Sequence, residues 1–352
     1  MTGVRTSRTT CDWADAADQR LVCKQVQQLT ADVKMFVFEP VEPALFHHDP
    51  GQYITITVPV DGLEVDRCYT LSSPPSRPHL AAITVKRVPG GQVSNWLHDH
   101  LVPGAVLPAR GPFGEFSMHR RPASKYLFLS AGSGVTPLMS MTRTLHDLAG
   151  PADVVFVHSA RTPDDIIFRR ELDFIEATSE RIRVAHVCED DGADERWAGR
   201  RGRLDLDVLR SISPDFLDRE VFTCGPAGYM AAVRLMLAEA GFAMDHYHEE
   251  SFTLDAAVPE TSGGEGTFEV RLARSGRTVE CDADTPVLDA AASAGITLPS
   301  SCGQGMCGTC KATLLKGSVG MRHNGGIRPR DRAENKILLC CAKPLEDLVI
   351  DA

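Results

Sequence analysis

Five of the eleven cysteines crowd into the last 51 residues: Cys302, Cys307, Cys310, Cys340 and Cys341. The run Cys302-Gly-Gln-Gly-Met-Cys307-Gly-Thr-Cys310 is C-x4-C-x2-C, and a fourth cysteine stands 30 positions on at Cys340. This is a spacing that brings four thiolates onto the two irons of a [2Fe–2S] cluster. Such a loop must bend tightly, so Gly303, Gly305 and Gly308 relieve side-chain crowding, and its N–H groups can then point at sulfur. A structural zinc site would show two close cysteine pairs, and only one occurs here. Cys341 breaks the interval; strand alternation would turn it away from Cys340, so it is expected to be structural. Cys11, Cys23, Cys68, Cys188, Cys224 and Cys281 are scattered singly.

Three further runs have residue types suited to a phosphorylated, aromatic ligand. In Arg67-Cys-Tyr69-Thr70, alternation puts a guanidinium for phosphate and a ring for stacking on one face of a strand. Val85-Lys86-Arg87 leads to Gly90-Gly91-Gln92-Val93-Ser94, where glycines before a helix leave free N–H groups and the positive dipole end for a pyrophosphate, with the Ser94 hydroxyl in addition. Ser130-Ala-Gly132-Ser133-Gly134-Val135-Thr136-Pro137 follows a buried-type strand and opens a helix, which again suits a phosphate or nicotinamide. It departs from the usual dinucleotide fingerprint, since Pro137 stands where a third glycine is expected; proline early in a helix costs no hydrogen bond. Isolated His47, His48 and His98 are expected at the surface or in packing roles.

The elements needed to position these runs follow from hydrophobic rhythm. Residues 20–110 alternate in short strands (21–39, 53–58, 67–72, 82–88) punctuated by Pro and Gly, as in a small antiparallel barrel. From Lys125 strands and helices alternate: strands at 126–130, 154–157, 182–187 and 221–223, helices at 136–148, 168–178 and 227–240. That pattern predicts a parallel sheet covered on both faces. Thr261-Ser-Gly-Gly-Glu-Gly266 reads as a flexible tether. Beyond it, Phe268–Leu272 and Thr278–Cys281 alternate like paired strands, and Thr285-Pro286 opens a helix to Ala294.

In this order the runs resemble known families. Residues from about 266 to 352, with Ile337-Leu-Leu-Cys340-Cys-Ala-Lys-Pro344, resemble a plant-type ferredoxin. Residues 20–252 resemble the ferredoxin–NADP reductase superfamily through the barrel, Arg-x-Tyr-Thr, Gly-Gly-x-x-Ser, Gly-x-Gly-x-x-Pro and Cys224-Gly225-Pro226. The resemblance implies an FAD site at Arg67, Tyr69, Thr70, Val85, Lys86 and Gly91 to Ser94. It implies a nicotinamide nucleotide site at Gly132 to Pro137, Ser159, Arg161 and Cys224 to Pro226. It matches Glu250-Ser-Phe252 to a closing segment whose aromatic ring can cover the flavin. FMN stays the alternative flavin and NADPH the alternative to NADH, since Arg161 would equally neutralise a 2′-phosphate.

The implied architecture is multidomain. A disordered lead-in (1–19) precedes an antiparallel β-barrel flavin domain (20–120) and an α/β parallel-sheet nucleotide domain (121–252). A linker (253–266) then leads to an α+β β-grasp ferredoxin domain (267–352). Within the family the whole chain resembles reductase components of Rieske-type oxygenases, in the glycine betaine monooxygenase and hybrid-cluster protein reductase group. The implied partner is a Rieske-type oxygenase; a hybrid-cluster protein is the alternative, and a non-catalytic redox carrier or sensor a further one. Unlike acidic plant ferredoxins, residues 267–352 contain eleven Lys/Arg against ten Asp/Glu, a formal +1. Arg322, His323, Arg328, Arg330 and Arg332 crowd the loop before Cys340 and form either a docking patch or a solvated loop.

Composition is consistent with this. At 352 residues the chain has room for two to three domains, and 43% hydrophobic with 24% charged residues is ordinary globular usage. The formal charge of −10, with no stretch that concentrates Lys and Arg strongly enough, argues against nucleic-acid binding. No apolar run reaches membrane-spanning length, and the start lacks the apolar core of a signal peptide, so a cytoplasmic location is expected, where eleven cysteines serve metal or redox chemistry better than disulfides.

Overall fold

The computed structural model describes residues 11–16, 18–193, 195–252, 266–299, 305, 308, 310–321, 323, 327 and 329–352, with 329 and 330 described in backbone alone. The chain divides into two compact units: Met1–Gly62, Tyr69–Pro112 and Phe116–Thr253 form one, and Leu63–Cys68, Phe113–Glu115 and Leu254–Ala352 the other. The expected tether at 253–266 lies outside the described residues except for Gly266.

The barrel is a six-stranded sheet in the order Leu63–Thr70, Tyr53–Val60, Val106–Phe113, Arg20–Thr30, Val33–Pro40, Ala81–Lys86. Leu71, just past the first of these strands, bridges Ile83 on the last and closes the sheet on itself. Alternate residues such as Phe36 and Phe38 are fully buried, as a half-buried strand requires. Two expectations need correction. The stretch 21–39 is two strands, because the chain turns at Ala31-Asp32. The lead-in is not wholly disordered: 1–10 lie outside the described residues, but Cys11–Asp12 pairs in parallel with Ala44–Leu45. Trp13 is fully buried there, with its ring centroid 4.9 Å from that of Phe46. One indole carries enough apolar surface to pin a segment whose neighbours are polar.

The nucleotide domain is a six-stranded, all-parallel sheet. Its order is Arg200–Arg201, Ile182–Cys188, Asp153–Ala160, Lys125–Ala131, Glu220–Cys224, Tyr247–Glu250. Both faces are covered, so its central strands are continuous apolar runs, as in Tyr126-Leu-Phe-Leu129. Strand order reverses between Lys125–Ala131 and Glu220–Cys224. Ligands of open α/β sheets bind outside the carboxyl ends of strands at such a reversal.

The second unit carries a five-stranded mixed sheet in the order Arg277–Asp282, Thr267–Leu272, Leu348–Asp351, Lys311–Lys316, Lys336–Leu338, with helix Val287–Ser293 packed into its core. Pro286 is the residue capping that helix, outside its first turn, where a missing N–H is harmless. Cys340 and Cys341 sit in the turn after Lys336–Leu338, so strand alternation does not separate them.

Candidate electron-transfer site

Both glycine loops of the nucleotide half meet at the strand-order reversal. Gly132–Gly134 forms a single tight turn, and helix Val135–Asp147 begins directly after it. A Cβ on Gly134 would lie 2.2 Å from the Cys224 carbonyl oxygen and 2.5 Å from Gly225 N, so only glycine lets the loops touch. Gly132 has φ +53° and open space where a Cβ would be, leaving its backbone free to approach a ligand. Thr136 donates its hydroxyl to Ser133 O at 3.1 Å, and Pro137 occupies the first turn of the helix without breaking it. Ser130, at the end of the preceding strand, is 2.8 Å from His158 Nδ1. Burial pushes that imidazole down to about 3, so it is neutral and its bond to Ser130 stiffens the strand end.

Strand register puts Cys224 between Ser130 and Glu250. The Cys224 thiol is fully buried and pushed well up, first by burial and then by Glu250, so it stays neutral. Glu250 Oε2 has no hydrogen-bond partner among the described residues, and burial pushes this carboxyl up to about 8. A buried, protonated acid with an unused oxygen fits a polar group of a bound ligand. Phe252, just beyond it, is 40% exposed and so is not core packing. Ser159 and Arg161 follow the adjacent strand. Ser159 Oγ is buried beside Tyr229, whereas Arg161 is largely exposed and donates to Asp165 at 3.1 Å.

The protonation of Glu250 gives a signed expectation. Its folded-state value lies above the ordinary 4.5. Its contribution to stability is therefore fully present below that value and is lost as pH rises towards about 8. Thermal melting from acid to pH 9 should show this decline, and Glu250→Gln should flatten it; identical profiles would refute the assignment.

On the flavin side, Tyr69 and Thr70 end strand Leu63–Thr70, with Thr70 buried. Arg67 lies two residues earlier on the same face and donates to Asp66 O at 2.8 Å. Gly91 caps helix Gln92–His100 without a side-chain bond, leaving the N–H groups of Gln92 and Val93 at its positive end. Ser94 Oγ accepts from Val88 N at 3.2 Å and shapes this loop. The other flavin candidates are less directly placed: the Val85 side chain is core, and Lys86 pairs with Asp32 at 3.3 Å. His98 is a buried packing residue bonded to Val85 O, as expected for it.

In the second unit, Cys310 and Cys340 are both buried, and their thiols interact. Gly305, at φ +67°, donates its N–H to Cys340 Sγ at 3.2 Å. Converging thiols with a backbone donor on sulfur fit an iron–sulfur cluster. Cys302 and Cys307 lie outside the described residues, as do Arg322 and Arg328; the Arg330 side chain is not described, and His323 Nε2 meets the Arg332 guanidinium at 2.7 Å. Cys341 is corrected here: its sulfur would lie 2.9 Å from a Cβ on Gly305, so it packs against the cluster loop and does not point away.

Fold and site together define an electron-transfer oxidoreductase with separate places for a flavin, a nicotinamide nucleotide and an iron–sulfur cluster. Three domain families match in chain order: the oxidoreductase FAD-binding domain over 20–118, the oxidoreductase NAD-binding domain over 128–235 and the 2Fe-2S iron-sulfur cluster binding domain over 270–345. The Glycine betaine monooxygenase reductase subunit of Pseudomonas aeruginosa is 45% identical, over 97% of this chain and 97% of that one. The Stachydrine N-demethylase reductase subunit of Rhizobium meliloti is 41% identical, over 97% and 98%. Phthalate dioxygenase reductase shares the fold, with TM-score 0.57 and 24% identity over 97% of this chain and all of that one. The chain belongs to the family of FAD- and [2Fe–2S]-containing NAD(P)H reductases built on the ferredoxin–NADP reductase fold. No helix among the described residues is long and apolar enough to cross a membrane.

Two residues that link the halves had no sequence signal: Arg143 donates to Ser72 O, at the end of the run that begins at Arg67, and pairs with Glu171, and neither Arg143 nor Glu171 belongs to a recognisable run.

Proposed function

We propose that this chain takes a hydride from NADH and delivers single electrons, in the cytoplasm, to a Rieske-type oxygenase acting on glycine betaine or a related quaternary amine. One observation carries the reading. Two relatives that match nearly end to end on both sides are reductase subunits, one of a glycine betaine monooxygenase and the other of an N-demethylase. When bound, FAD accepts two electrons at once and a [2Fe–2S] cluster passes them on singly.

The chain's own residues supply binding and orientation. Arg67 and the N–H groups of Gln92 and Val93 would neutralise the flavin phosphates, with Tyr69 as the stacking ring and Thr70 as a hydroxyl partner. Val85 and Lys86 contribute through backbone, because their side chains are otherwise engaged. Gly132 to Pro137, Ser159 and Cys224 to Pro226 would hold the nicotinamide nucleotide, Glu250 would offer it a neutral acid, and Phe252 would supply the aromatic cover for the flavin. Cys302, Cys307, Cys310 and Cys340 hold the cluster. NADH is the proposed reductant and NADPH the alternative, since Arg161 is exposed, with only a surface pair to Asp165, and could still meet a 2′-phosphate.

Purification from the native host should bring down a Rieske-type oxygenase subunit that this protein reduces with NADH, and poorly with NADPH, in support of quaternary-amine turnover. Recovery of a hybrid-cluster protein as the reducible partner would overturn the oxygenase reading, and equal rates with NADPH would overturn the coenzyme assignment.

A further inference from the structure

One face of helix Val135–Asp147, the helix that starts at the nucleotide loop, is bonded along its length to the segment that follows the flavin strand. Ser140 donates to Ser73 O at 2.8 Å, and Arg143 donates to Ser72 O at 2.5 Å. Asp147 accepts from Arg77 at 2.6 and 2.8 Å and from Ser76 at 2.6 Å. Positions 140, 143 and 147 follow the i, i+3, i+7 spacing of a single helical face. Ser72 and Ser73 are themselves fixed to the barrel: Ser72 Oγ lies 3.0 Å from Thr84 Oγ1, and Ser73 Oγ accepts from Ala82 N at 2.9 Å.

Arg143 differs from the others because it is a charged group that is only 5% exposed and reaches a third segment. Its Nε and Nη2 make a bidentate pair with Glu171, at 2.7 and 2.6 Å. Its guanidinium carbon stands 4.6 Å from the centroid of the Phe168 ring. Phe168 precedes helix Arg169–Thr178 and holds a left-handed φ of +61°, a conformation that surrounding contacts must enforce. One buried cation therefore ties together the flavin-strand end, the nucleotide-loop helix and the start of the next helix. A planar fork with five donors can satisfy this three-way junction, whereas an ammonium has no such geometry. Arg143 lies seven residues beyond Thr136, roughly 10 Å along the helix, so it does not touch a nucleotide held at the loop.

We infer that Arg143 is a positioning residue for hydride transfer: it fixes the distance between the strand that holds the flavin and the loop that holds the nicotinamide. This rests on the ligand placement proposed above. Hydride transfer moves one hydrogen nucleus with two electrons from nicotinamide to flavin, and a misplacement of about 1 Å can cost about 10²-fold in rate.

The test uses the full chain loaded with FAD and cluster, with Arg143→Lys, Arg143→Met and Glu171→Gln as variants. At saturating NADH, rapid mixing should show flavin reduction slowed about 10- to 100-fold in Arg143→Met and by less in Arg143→Lys. NADH affinity, flavin retention and reduction by dithionite should stay near wild type, while the long-wavelength absorbance of stacked nicotinamide and flavin weakens. Wild-type reduction rates in folded Arg143 variants overturn the inference. So does a uniform loss in which affinity, dithionite reduction and melting temperature fall together, since that is a stability role alone. If Arg143→Met does not retain flavin, Arg143→Lys and Glu171→Gln decide by the same readouts. Failure of NADH to reduce the wild-type flavin would instead overturn the functional reading, and this inference with it.

Discussion

Cys340→Ser is expected to cut reduction of the oxygenase partner by orders of magnitude while leaving NADH-driven reduction of ferricyanide nearly intact. A serine hydroxyl is a poor iron ligand at neutral pH, since the thiolate and not the protonated group binds metal. The sulfur removed is the one that accepts the Gly305 N–H at 3.2 Å and meets the Cys310 thiol. Of the residues proposed for flavin and nucleotide, Tyr69, Thr70, Gly132–Pro137 and Cys224 belong to the other compact unit, which has its own buried cores. They should therefore fold and react without the cluster. Because Cys341 sulfur packs against the same Gly305, the double variant Cys340→Ser/Cys341→Ser is the control that stops the neighbour from substituting. Iron content, visible absorbance and partner reduction are measured together. A cluster-free variant that reduces its partner at the wild-type rate would show that electrons leave directly from flavin.

The second large effect is expected at Gly134. Its φ is −64°, so alanine is tolerated by the backbone and the consequence of Gly134→Ala is steric alone. The new Cβ would stand 2.2 Å from the Cys224 carbonyl oxygen, whereas ordinary contact begins at 3.4 Å. Both atoms are attached to backbone, so the two loops at the strand-order reversal must part by about 1 Å (3.4 minus 2.2). A shift of that size at a hydride-transfer site is worth about 10²-fold in rate. NADH-dependent flavin reduction should fall by that order, with flavin and cluster contents unchanged and dithionite reduction normal. Gly132→Ala is the comparison. Its Cβ meets open space, so only the left-handed φ of +53° is penalised, by roughly 1–2 kcal/mol. If Gly134→Ala matches wild type, the close approach of the loops has no role in catalysis.

Much of the function was legible from residue types at short spacing. The cysteine intervals, the Gly-x-Gly-x-x-Pro loop after an apolar strand and the Arg-x-Tyr-Thr run are local, and local geometry follows from strand alternation and helix starts. The parallel sheet was readable for the same reason, because strands buried on both faces are continuous apolar runs such as Tyr126-Leu-Phe-Leu129. Three-dimensional packing decided what depends on partners far apart in the chain. Cys341 was expected to face away from Cys340, yet a turn brings both sulfurs to Gly305. Trp13 was expected in a disordered lead-in, yet Phe46 gives it a buried contact. Glu250 becomes a neutral acid because it is buried, with its Oε2 unpartnered among the described residues, and Arg143 joins Ser72, Phe168 and Glu171 from three separate stretches. Spacing along the chain determines which chemistry the residues can perform; desolvation and long-range contact determine which protonation state and which separation they have when they perform it.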